Sequence, residues 1–225
     1  PDFVGPNVYK GNNFGIDVSI SGDGNVIAIG GNENQYRGAY VFDYDSSTDT
    51  FTQRPGLNGS GGTDPNSIVY LAGSHGDGES VSLNYDGSIL AVGASAAMSG
   101  YGAIGVFEWD SSQESWSQQQ GSGYPTTANP DAIIKGHYLA EAMGRHCMLN
   151  RGDSNGNYSG TVLVASGWRA YYSEDYYTDA DYRNCGRVTI YEYDASLAPE
   201  SEPEQQEPEP APEPEPSPEP ESEQL

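Results

Sequence analysis

The chemistry-bearing side chains of this chain crowd into one stretch, Trp168 to Asn184. It carries Trp168, Tyr171, Tyr172, Tyr176, Tyr177 and Tyr182, interleaved with Glu174, Asp175, Asp179 and Asp181. Rigid amphipathic rings give large contact area for little entropy, and they stack on sugar faces or protein surfaces. Asp175, Asp179 and Asp181 could share a calcium ion, which takes about six to eight oxygens. Their spacing, Asp-x3-Asp-x-Asp, follows no strict calcium loop. Two readings stand side by side: a loop that meets a ligand, and a loop folded back so that its tyrosines cover a strand edge.

Catalytic constellations are not found. His75, His137 and His146 are scattered, with no His-Glu-x-x-His and no paired spacing for zinc. There is no P-loop pattern. Carboxylates are too numerous for one pair to stand out as acid and base. The sequence reads as non-enzymatic. Arg151-Gly152-Asp153 spells a tripeptide recognised by some adhesion receptors, but it falls where the repeat calls for a Gly-Asp turn.

The elements that must position these groups come from a design written three times. Gly15-Ile-Asp-Val-Ser-Ile-Ser-Gly-Asp23-Gly-Asn-Val-Ile-Ala-Ile-Gly30 is answered by Gly78-Glu-Ser-Val-Ser-Leu-Asn-Tyr-Asp86-Gly-Ser-Ile-Leu-Ala-Val-Gly93. Gly144-Arg-His-Cys-Met-Leu149 and Thr161-Val-Leu-Val-Ala-Ser-Gly167 form a looser third copy. Gly15 to Gly78 is 63 residues and Gly78 to Gly144 is 66. Such a period, made of short strands, points to a toroidal or stacked β architecture. Ile16, Val18 and Ile20 alternate with polar residues, a period of two that buries one strand face. Val26 to Ile29 and Ile89 to Val92 are apolar throughout, as where both faces are covered. Asp23-Gly24 and Asp86-Gly87 mark tight hairpins between them. Acid-aromatic strands follow, Tyr40-Val-Phe-Asp-Tyr-Asp45, Gly105-Val-Phe-Glu-Trp-Asp110 and Thr189-Ile-Tyr-Glu-Tyr-Asp194. Phe51-Thr-Gln-Arg and Trp116-Ser-Gln-Gln suggest a fourth strand. Four antiparallel strands per repeat is the make-up of a propeller blade.

These repeats resemble the FG-GAP type of β-propeller blade, best known from the integrin α-subunit head. They look closer still to tandem arrays of predicted surface proteins in microalgae and bacteria. Phe14-Gly15 stands as the "FG"; Ala28-Ile-Gly-Gly31 and Ala91-Val-Gly-Ala94 stand where "GAP" falls. The resemblance covers about residues 8–194 and implies a propeller used for adhesion or recognition. The integrin calcium loop is a dense Asp-x-Asp-x-Asp pattern, which Ser21–Asn25 and Asn84–Ser88 lack.

The expected fold is all-β: about three four-stranded antiparallel blades of an incomplete β-propeller, with a disordered acidic Pro-rich C-terminal tail. Residues 1–11 read as the end of a preceding blade, because Val8-Tyr-Lys-Gly11 matches Val69-Tyr-Leu-Ala-Gly73 and Ile133-Ile-Lys-Gly136. Blades follow over 12–70, 71–135 and 136–195. Three fall short of the roughly four to eight that close a propeller. The expectation is a fragment of a longer protein, or a partial ring completed by another protomer. Residues 196–225 form the tail, with ten Glu between Glu200 and Glu223 and no Lys, Arg or aromatic residue. Such composition cannot offset the entropy of folding, and Glu-Pro alternation favours an extended spacer.

Charge and compartment narrow the partners. The chain has 33 acids against nine Lys and Arg, a net charge of −24; without the ten tail glutamates it is −14. Such a surface repels phosphate, so nucleic acid is excluded as a partner. No apolar run approaches the roughly 18 residues that cross a bilayer, so no direct membrane insertion is expected. Asn58-Gly-Ser60 and Asn157-Tyr-Ser159 are N-glycosylation sequons, and the composition suits an extracellular or cell-surface protein. Cys147 and Cys185 invite a disulfide in that setting. The alternative is a buried free thiol, since Cys147 takes the place of Val18 and Val81.

The function expected is an extracellular recognition or adhesion module that presents the Tyr- and acid-rich loop to a glycan or protein. Two alternatives stay open: an acidic structural protein of a cell covering that gathers calcium or mineral, and the accessory propeller of a glycan-active enzyme.

Overall fold

The computed structural model describes residues 13–32, 37–57, 68–70, 77–119, 134, 142–152, 161–167 and 187–192. The chain divides into two compact units, Pro1–Tyr193 and Asp194–Leu225, and the described residues all belong to the first.

The described residues are all-β, forming three antiparallel sheets. Sheet 1 is β1 (Val18–Ile20), β2 (Val26–Gly31), β3 (Gly38–Asp45) and β4 (Thr50–Gln53), in the order β1-β2-β3-β4. Sheet 2 is β5 (Asp77–Leu83), β6 (Ile89–Ala94), β7 (Ala103–Asp110) and β8 (Ser115–Gln118), ordered likewise. One helical turn, α1 (Ala97–Gly100), lies between β6 and β7. Sheet 3 is β9 (His146–Leu149), β10 (Val162–Gly167) and β11 (Arg187–Glu192). Four strands were expected there; the stretch that would hold the fourth lies outside the described residues. The sheets are not closed among the described residues. No helix there is long and apolar enough to cross a membrane.

Each copy folds by the same local devices. The residue after the first strand bonds its own backbone to the start of the second: Ser21 N to Val26 O, Asn84 N to Ile89 O and Asn150 N to Val162 O. Its side chain accepts the reciprocal N–H: Val26 on Ser21 Oγ at 2.9 Å, Ile89 on Asn84 Oδ1 at 2.9 Å and Val162 on Asn150 Oδ1 at 2.7 Å. The third copy, loose in sequence, is therefore closed by the same pair of hydrogen bonds. Asp45 and Asp110, which close the first two acid-aromatic strands, each begin a turn of the kind Asx side chains favour. Asp45 Oδ1 accepts from Ser47 N and Oγ at 2.8 and 2.6 Å, and Asp110 Oδ1 from Ser112 N and Oγ at 2.8 and 2.7 Å.

Two apolar cores hold the sheets face to face. Val26, Ala28, Ala39 and Val41 of sheet 1 meet Val81, Leu83, Leu90, Val92 and Phe107 of sheet 2. Ala91, Ile104 and Val106 of sheet 2 meet Leu149, Leu163 and Ala165 of sheet 3. Successive residues of β6 thus enter opposite cores, which is why that strand is apolar throughout. Burying a Leu83-sized side chain contributes about 1.5–3 kcal/mol.

Polar links run alongside. Ser19 Oγ accepts the edge N–H of Leu83 at 3.0 Å, and Ser82 Oγ, one repeat on, accepts that of Leu149 at 2.9 Å. Asp17 Oδ2 accepts Val81 N at 2.9 Å. Glycine lets the backbones approach: Gly78 and Gly144 have φ of +79° and +89°, and a Cβ on Gly30 or Gly93 would overlap their carbonyls.

One expectation is corrected. Ile16, Val18 and Ile20 were expected to bury a strand face, yet they are 43, 63 and 46% exposed. Their side chains point away from sheet 2, toward a side that no described sheet covers. Their counterparts Val81 and Leu83 are buried because sheet 1 lies over them.

Candidate functional site

The strand registers locate the base of the tyrosine-rich segment. Sheet 1 ends its second hairpin at Gly31↔Gly38, sheet 2 at Ala94↔Ala103 and sheet 3 at Gly167↔Arg187. The intervening residues are 32–37, 95–102 and 168–186, all at the equivalent end of their sheets. The third connection is by far the longest, and both its ends are pinned by neighbouring strands. Trp168, Tyr171, Tyr172, Tyr176, Tyr177, Tyr182, Asp175, Asp179 and Asp181 fall within it and lie outside the described residues, as do Asn58, Asn157, Asp153 and Cys185.

Described groups at that end of the sheets form a polar network centred on Glu79. Its carboxylate accepts from Arg145 Nη1 at 3.2 Å, from Asn32 Nδ2 at 3.4 Å and from the Ser95 hydroxyl. One acid thereby ties together the starts of the first two connections and the start of the third repeat. The sequence signalled none of this, since Glu79 stands where copy one has Ile16 and copy three has Arg145. Among the described residues, no group of three or more His, Cys, Asp or Glu could hold a metal ion. Asp23 and Asp86 are engaged inside their own turns, with Ser21 and Asn25 on the first and Ser88 on the second.

A groove of about 990 Å³ runs along the first strands of the three sheets. Val18 and Ile20 border it from β1, Val81 and Ser82 from β5, and Met148 and Val188 from sheet 3. Cys147 lies in its lining as a free thiol. It is half-buried, and Ser80 Oγ lies 3.1 Å from its sulfur. Burial pushes the thiol up to about 12, against the smaller opposing effect of the Ser80 hydroxyl. A thiol held neutral in this way is a poor nucleophile.

Arg54 is a further residue the sequence left unmarked. Only 8% exposed, it pairs with Asp43 through Nε and Nη2 at 2.9 and 2.7 Å. Its Nη1 donates to the Gly87 carbonyl at 2.7 Å, and its guanidinium lies 4.8 and 5.6 Å from the Trp109 and Trp116 rings. This clamp bolts sheet 1 to sheet 2.

No protein-family model matches the chain, and no curated protein matches its sequence.

Proposed function

We propose that the chain is a non-enzymatic recognition or adhesion module of the extracellular space or cell surface. Its three sheets are blades of a β-propeller of the FG-GAP type, and residues 168–186 are held out to a glycan or protein ligand. The observation that carries this reading is the Gly167↔Arg187 register. It anchors a segment with six aromatic rings at both ends on a packed sheet, where the other two copies have short connections. Loops positioned by a rigid scaffold are where binding groups concentrate. Rings held at a fixed base lose less entropy on binding than rings on a free chain.

The test is a glycan and extracellular-protein array probed with the full chain, followed by Tyr172→Ala and Tyr176→Ala. Each substitution is expected to weaken any ligand found by about tenfold or more, the scale of a buried aromatic contact. Deleting 196–225 should leave that binding intact. Unchanged affinity in both tyrosine variants would remove this segment as the contact surface.

A further inference from the structure

Among the described residues, exposed large apolar side chains are confined to two places. Among the described residues, the large hydrophobic side chains in solvent are Ile16, Val18 and Ile20 on the outer face of sheet 1, and Met148, Val188 and Ile190 on the outer face of sheet 3. Their counterparts in the middle sheet are covered. Val18 and Ile20 correspond to Val81 and Leu83, which are 4 and 1% exposed beneath sheet 1. Aligning Gly167↔Arg187 with Ala94↔Ala103 makes Val188 and Ile190 the equivalents of Ile104 and Val106, buried against sheet 3.

The two end faces are therefore the two halves of one junction that the molecule already makes twice. Sheet 3 presents outward the half that sheet 2 presents to sheet 3. Sheet 1 presents outward the half that receives it. Both halves border the same groove, with Val18 and Ile20 on one side and Met148 and Val188 on the other. The end faces thus belong to a fan around that groove.

We propose that two copies of this chain associate head to tail, the outer face of sheet 3 of each packing on the outer face of sheet 1 of the other. Six sheets then surround one groove, within the roughly four to eight of closed propellers. The same contact made without closure would grow into a filament, because a heterologous interface ends only when its rotation closes. At the inner junctions Ser19 and Ser82 accept edge N–H groups, whereas Met148 holds that place on the outer face of sheet 3. The new junction accordingly depends on apolar burial more than on that hydrogen bond. This inference rests on reading the sheets as blades, and it is independent of the ligand assigned to residues 168–186.

Sedimentation velocity of the full 225-residue chain at micromolar concentration tests it. The expected mass is twice the 24.1 kDa of one chain. Val18→Asp and Ile190→Asp alter positions already 63 and 64% exposed, so each should keep the circular dichroism of the parent and sediment as one chain. A monomeric parent, or a dimer that survives either substitution, overturns the proposal. A concentration-dependent ladder of larger species overturns closure and the blade reading with it. Loss of array binding in Tyr172→Ala with the dimer intact leaves the two conclusions separate.

Discussion

Arg54→Ala is expected to loosen the joint between the first two sheets more than any other single truncation at its strand end. The guanidinium is almost wholly buried, and its Nη1 bond to the Gly87 carbonyl is 2.7 Å long. A hydrogen bond from a charged donor contributes about 1.5–3 kcal/mol. The ring faces of Trp109 and Trp116 add about 0.5–2 kcal/mol. Asp43 adds less, because its side chain is 48% exposed and exposed ion pairs are worth about 0–1 kcal/mol. The loss should come to about 3 kcal/mol. With a urea slope of about 2 kcal/mol per molar, the midpoint falls by about 1.5 M. Tryptophan fluorescence reports it directly, since Arg54 sits over two of the chain's three tryptophans. Gln119 holds the matching place in sheet 2 and reaches Glu108 at only 3.4 Å. Gln119→Ala should cost less than about 1 kcal/mol. Equal losses in the two variants, or a loss below about 1 kcal/mol for Arg54→Ala, would refute the clamp.

Other outcomes follow from the same geometry. Gly93→Ala should destabilise by about 3 kcal/mol or more, because its Cβ would overlap the Gly144 carbonyl. Gly15→Ala should cost only about 1–2 kcal/mol, for its φ of +85° alone, since nothing lies within 4 Å; thermal melts give the ranking. Bonds from the Ser47 and Ser112 hydroxyls, then from their N–H groups, hold Asp45 and Asp110 below the ordinary 3.8. A depressed carboxylate stabilises the fold above its unfolded value and loses that contribution as pH falls through the folded one. Stability should therefore decline below about pH 4, and Asp45→Asn with Asp110→Asn should flatten that decline in melts across the acid range. Cys147, with its thiol near 12, should be alkylated at pH 8 about a thousandfold more slowly than an ordinary thiol, read by peptide mass spectrometry. Labelling at the ordinary rate in the folded protein would contradict its burial.

Much of the strand pattern was legible from residue types. The apolar runs at Val26 and Ile89 and the Asp-Gly pairs between strands report local requirements, and a linear sequence carries those directly. Burial was less legible. Alternation at Ile16, Val18 and Ile20 says that a face is apolar, but not whether another sheet covers it. Arg54 and Glu79 were illegible for a related reason. Their partners Gly87, Trp109 and Arg145 lie in other repeats, and both residues differ from their counterparts in other copies. The candidate segment 168–186 was legible as a length and composition anomaly against the other two connections. Its base is fixed by the strand register; its contacts are a matter for binding experiments.

The account turns on one junction being made twice, by Ser19 on Leu83 and by Ser82 on Leu149. Amide hydrogen exchange resolved by NMR tests this most directly. The N–H groups of Leu83 and Leu149 should both be protected, although each lies on the edge of its own sheet. Ser19→Ala should release Leu83 alone, and Ser82→Ala should release Leu149 alone. Rapid exchange at both amides in the parent chain, or protection indifferent to both serines, would contradict it.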